Sequence, residues 1–160
     1  GHDEGDHQLA RLRVAVGAFI APSTNGTQAL TGFGFAPDGI LLIDNWSPGT
    51  DIGIGGASSS PTAVEGAASW LAGGGTTGTK ADEVTKTDKA VIATQRAGGG
   101  DVASIIAEAD LQSWDTDGVT LNWTTTSGDG NVRGGYFAFA SAGSFLPTTP
   151  ARPFRHLIVR

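Results

Sequence analysis

The sequence predicts an all-β domain: a two-sheet β-sandwich, jelly-roll-like, with about eight or nine short strands. Three observations predict it. The 160-residue chain contains 25 Gly and 18 Thr but neither Cys nor Met; glycine suits tight turns, and threonine, branched at Cβ, suits a pleated surface. Apolar residues recur with the period of two that a strand requires, most plainly Val119, Leu121 and Trp123 between Thr120, Asn122 and Thr124. Clusters of Gly, Pro, Asp and Asn punctuate the chain at the short spacing of a sandwich.

Taken in order, the polar segment 1–11 reads as a flexible arm, leaving 12–160 as one domain. The first strand follows, with Val14, Val16 and Ala18 on one face and Ala15, Gly17 and Phe19 on the other. Pro22 to Gly26 makes a turn, a second strand runs near Thr27 to Phe33, and Pro37-Asp38-Gly39 turns again. Ile40 to Ile43 is apolar at four consecutive positions, which predicts a strand covered on both faces, inside the sandwich or at a subunit contact. From 45 to 80 the pattern weakens: only Ile52 to Ile54 and Ala67 to Leu71 look strand-like, and Gly73 to Gly78 reads as an exposed loop tip.

Strand signals return at Ala90 to Thr94 and stop at Gly98 to Gly100. Val102 to Gln112 is a candidate strand whose first half also suits a short helix. Two Gly/Asp turns, at Asp115 to Gly118 and Ser127 to Asn131, then join this strand, 119–124 and 132–140 into a predicted three-stranded meander. A last strand is expected at Phe154 to Val159, after Pro147, Pro150 and Pro153.

Charge and composition exclude several functions. Sixteen acidic residues against ten basic ones, dispersed along the chain, give no footprint for a phosphate backbone, so no nucleic-acid partner is expected. No apolar run approaches the ~18 residues of a membrane span, and no membrane role is expected. Without Cys there is neither a disulfide nor a thiolate metal site. The Gly73 to Lys80 stretch departs from a phosphate loop, because Thr79 separates the second Gly from Lys80 and Ala81 follows it. No Ser stands in a Gly-x-Ser-x-Gly elbow, two of three His lie in the arm, and Glu108 and Asp110 share a strand parity that suits acid/base work or, equally well, an exposed acidic face. Neither an enzyme nor a cofactor is expected.

The candidate surface residues are few. Trp46 and Trp70, beside Gly-rich loops, are the residues best placed to stack on a sugar ring, whereas Trp123 shares the parity of Val119 and Leu121 and belongs to the core. Asp115, Asp117, Asp129 and Asn131 carry loop oxygens of the kind calcium takes, but Asp-Gly turns have the same composition without a metal, and the turn is expected. Arg152 and Arg155, in the Pro-punctuated tail, suit pairing with acidic groups on a neighbour.

Two stretches resemble a known family. Gly26 to Asp38 (GTQALTGFGFAPD), running into Ile40 to Ile43, is similar to an opening motif in small virion proteins of tailed bacteriophages. Ala107 to Ser113, Asp117 to Thr125 and Arg133 to Phe139 resemble the closing motif of those proteins, in the right order. The resemblance implies a structural virion component on the capsid surface or the tail, and it carries over no active site. The expectation is therefore a β-sandwich that self-associates, as a trimer or higher ring, and docks on other virion proteins. A lectin-like module that attaches to a host-surface glycan is the alternative.

Overall fold

Side-chain alternation, turn chemistry and glycine placement account for the elements of the computed structural model. It describes residues 12–46, 51–59, 63–75, 78–96, 103–126, 128 and 131–141. Among these, β1 (Arg13–Ile20), β10 (Val132–Ala140), β3 (Gly39–Trp46), β4 (Asp51–Ser58), β5 (Val64–Gly75) and β6 (Gly78–Lys86) form one sheet in that spatial order. β2 (Gly26–Thr31), β9 (Gly118–Thr125), β8 (Ala103–Asp115) and β7 (Val91–Arg96) form a second. All pairings are antiparallel. The chain is thus a two-sheet β-sandwich. Its β1–β10 pair lies in one sheet and its β2–β9 pair in the other, the alternation of a jelly roll, whereas β3 to β6 run as consecutive hairpins.

The core is the space between the sheets. Val119, Leu121 and Trp123 fill it from β9, Leu30 from β2, and Ile40 and Leu42 from β3. The Phe19 ring lies 6.3 Å from Trp123, tying β1 to the second sheet. β7 is buried on both faces from Val91 to Thr94, although it ends its sheet. The cause lies in β4: side chains added at Gly53 and Gly55 would strike the backbone oxygens of Ile92 and Ala90. Glycine there lets the β7 backbone settle directly on the facing sheet.

Several expectations need correction. The three-stranded meander is limited to the β8–β9 hairpin, because β9 already has β2 on its other edge and β10 crosses to pair with β1 and β3. The weakly patterned middle holds two full hairpins, with β5 running through Gly75 and β6 starting at Gly78. Residues 102–112 contribute strand from Ala103 onward, with no helix. Irregularities of register after Glu108 and Leu111 interrupt the β8–β9 ladder, and the Leu111 amide donates to Glu65 Oε2 of β5 at 2.9 Å. The strand expected at Phe154 to Val159 and the arm at 1–11 lie outside the described residues.

Candidate functional site: the outer face of the six-stranded sheet

The residues singled out from sequence do not converge. Trp46 has the inward parity of Ile40, Leu42 and Asp44, packs against the core and buries its Nε1, so its ring is no surface platform. Trp70 points to the opposite face of the same sheet and is 41% exposed. Asp115 and Asp117 share the β8–β9 turn, and their carboxylates are engaged by the chain. Asp115 accepts from Ser113 Oγ at 2.9 Å and Thr120 Oγ1 at 2.8 Å. Asp117 accepts from the amides of Gly32 at 3.2 Å and Gly34 at 2.5 Å, holding a loop in which both glycines have positive φ. Asn131 is half-buried just before β10. Asp129, Arg152 and Arg155 lie outside the described residues. Glu108 and Asp110 are in ion pairs with Lys86 at 2.7 Å and Lys89 at 2.5 Å.

What the strands do bring together is an apolar surface. Register partners in adjacent antiparallel strands point the same way, so the pairings define rows across the outer face of the six-stranded sheet. The first row is Val14, Phe139, Gly39, Ser58 and Val64. The second is Val16, Phe137, Leu41, Gly56 and Gly66. The third is Ala18, Gly135, Ile43, Ile54, Ala68 and Thr85. None of these three rows contains an ionisable side chain. Charge enters only with the fourth, where Ile20 and Arg133 lie at one side and Ile52, Trp70 and Glu83 at the other.

The exposure of this face is large. Val16 is 65% exposed and Leu41 39%, and Ile43, Ile54, Phe137 and Phe139 are exposed with them. The relief is uneven. On β10 and β3, Phe137, Leu41 and Ile43 form a ridge, with the Phe139 ring lying across Gly39, whereas on β4 and β5 Gly56, Gly66 and Ala68 floor a shallow groove bounded by Leu41, Ile54 and Trp70. The outer face of the four-stranded sheet is the opposite in character: Thr27 and Thr31 of β2 and Thr120, Asn122 and Thr124 of β9 alternate with the core residues, beside Glu108 and Asp110. One sheet is finished for water and the other is not. A contiguous exposed apolar patch of this extent makes this face the candidate interaction surface.

A second, buried feature was not anticipated. Asp44 of β3 is 2% exposed, and neither carboxyl oxygen has a hydrogen-bond partner. It is flanked in its row by Gly134 and Gly53, and a side chain at Gly53 would strike its oxygens and the Ile92 carbonyl. Burial, and then the nearby Asp51 carboxylate, push Asp44 up to about 8. Asp51 is also raised by burial, offset in part by the amides of Trp46 at 2.8 Å and Thr94 at 3.1 Å. Ser69 Oγ and Thr94 Oγ1, 2.8 Å apart, complete the cluster. These carboxyls are closed off from solvent, and among the described residues no group of three or more His, Asp or Glu suits a metal ion. The cluster acts on stability, through pH.

The outer face was partly readable. Ile40 to Ile43 and β1 are apolar at both parities, and that is the signal of a strand with no water-facing side. Asp44 carried a weaker one, an acid in phase with Ile40 and Leu42. No protein-family model, curated protein or solved structure matches the chain.

Proposed function

We propose that the protein is a structural component of a tailed-bacteriophage virion, a β-sandwich that assembles on the capsid surface or tail. One observation carries the assembly part of this reading: the outer face of the six-stranded sheet is apolar across five strands and has no ionisable group in three successive rows. A domain kept in water gains by covering such a face, and the gain of roughly 25 cal/mol per Å² of apolar surface favours association. The phage assignment rests on the resemblance of the segments around 26–43 and 107–139 to small virion proteins. The test is direct: virions purified from the source are analysed by mass spectrometry and labelled with antibody to this chain. Stoichiometric recovery with labelling at regular surface or tail positions supports the reading, and absence from purified particles overturns it.

The alternative, carbohydrate binding at a host surface, has exposed Trp70 beside its groove in its favour. Sugar sites combine a stacking ring with several polar groups for the hydroxyls. The groove beside Trp70 is bounded by Leu41 and Ile54 and floored by Gly56, Gly66 and Ala68, which supply no side-chain hydrogen bonds. A glycan array with specific binding abolished by Trp70→Ala would favour this alternative.

A further inference from the structure

We infer that the outer face of the six-stranded sheet packs on the same face of a second copy, about a two-fold axis parallel to the strands and midway between β3 and β4. The inference rests on the reading of that face as an assembly surface and names its occupant. The argument starts from the uneven relief. The ridge is on the β10 and β3 side of this axis and the groove on the β4 and β5 side. A two-fold rotation therefore sets the ridge of each copy over the groove of the other.

The register makes this specific. Rotation about such an axis keeps each row opposite its own counterpart and places β10 over the partner's β5 and β3 over its β4. In the second row, Phe137 meets Gly66 and Leu41 meets Gly56; in the third, Ile43 meets Ile54. In that second row large side chains oppose glycines on both sides of the axis, as an isologous contact requires, while Ile43 on Ile54 and, in the first row, Phe139 on Val64 are apolar pairs that border it. At the rim, Arg133 of β10 comes over β5, one strand from Glu83 of the facing β6, so opposite charges border the apolar centre. Facing sheets pack with strands aligned to within about 30°, which this axis satisfies.

The area is sufficient. Counted out to β6 and with the charged fourth row as its rim, six strands at ~4.8 Å spacing and seven residues at ~3.4 Å make a face on the order of 700 Å², close to the ~800 Å² per partner of a standard stable complex. The contact closes as a dimer, in place of the trimer or higher ring expected from sequence.

Gly66 provides a test that spares the fold, because a side chain built there meets nothing closer than the Lys86 carbonyl at 3.9 Å. Sedimentation velocity on the full chain over a range of concentrations is compared for the wild type and Gly66→Glu, with circular dichroism to confirm unchanged strand content. The wild type is expected to dimerise and Gly66→Glu to weaken dimerisation on the order of thirtyfold or more, the scale of disrupting a central contact. The geometry is tested by mixing Phe137→Cys and Gly66→Cys chains. The protein has no cysteine of its own, so a short bismaleimide links the two chains only if this face meets its copy. A wild-type monomer at all concentrations, a dimer indifferent to Gly66→Glu, or a dimer without the cross-link overturns the inference. If a monomeric wild type still binds virions and Gly66→Glu does not, the partner is another virion protein and the assembly reading survives. Absence of the chain from virions defeats that reading and leaves the dimer standing.

Discussion

Asp44 and Asp51 lie one inward row apart on adjacent strands, and only Asp51 is given hydrogen-bond donors, the amides of Trp46 and Thr94. The buried, unpartnered Asp44 therefore keeps its proton to high pH.

This arrangement fixes the sign of a pH effect. Asp44 is raised from 3.8 to about 8 by folding, so between those values the folded chain holds a proton that the unfolded chain has released. The contribution of Asp44 to stability is greatest below about pH 4, declines by up to ~1.4 kcal/mol per pH unit through the window, and levels off above about 8, while Asp38, lowered by its bonds from Ser141, acts in the opposite direction at the acid end. Asp51, also raised, acts in the same direction as Asp44. Thermal melts are expected to give a lower midpoint at pH 8 than at pH 5, with the difference much reduced in Asp44→Asn. Equal wild-type midpoints at the two pH values would show that Asp44 ionises freely in the fold.

Two glycines of the same sheet predict opposite outcomes for the same substitution. At Gly55 a methyl would meet the Ala90 carbonyl and, at 2.8 Å, the Ala67 side chain, with the buried run Ala90 to Thr94 unable to withdraw. Gly55→Ala is expected to cost about 1–3 kcal/mol, the range for overpacking. Gly66→Ala meets only the Lys86 carbonyl, at an ordinary 3.9 Å, and is expected to change stability by no more than about 1 kcal/mol. Urea denaturation at low protein concentration measures both, and a tolerated Gly55→Ala would contradict the close approach of β7.

The Asp117 carboxylate fastens the loop between β2 and β3 through the amides of Gly32 and Gly34. Asp117→Ala removes both acceptors, and a loss of about 1–2 kcal/mol is expected. Because this carboxylate and that of Asp115 already have donors within the chain, a chelator is expected to leave the melting temperature unchanged. A fall on chelation would assign these oxygens to calcium instead.

The fold was legible where water stays on one side of a strand. β9 alternates Val119, Leu121 and Trp123 with polar residues, and the structure places all three in the core. Legibility failed where the inner face is glycine. In β4, Gly53 and Gly55 face inward so that β7 can approach, and the isoleucines Ile52 and Ile54 face out, which reverses the usual pattern. β6 was missed because, at the sheet edge, it carries almost no apolar residues. The destination of β10 was hidden as well, since a turn sequence states that the chain reverses and not which edge is free to receive it. Of the candidate site, Trp70 and the Ile40 to Ile43 run were visible. The rows that make them one surface depend on register across five strands.

Leu41 and Leu42 are neighbours of the same type on opposite faces of β3, 39% and 0% exposed. Leu42→Ala empties a buried site and is expected to cost about 2–5 kcal/mol at any protein concentration. Leu41→Ala is expected to cost no more than about 1 kcal/mol where the chain is monomeric, because its side chain there already faces water. At higher concentration the two should diverge in kind: association stabilises the folded chain by mass action, and Leu41→Ala loses part of that gain while Leu42→Ala does not. Urea midpoints measured over a wide span of protein concentration separate these contributions. A cost at Leu41 that is large and independent of concentration would mean that this face is covered within a single chain, and the second copy would have no place to sit.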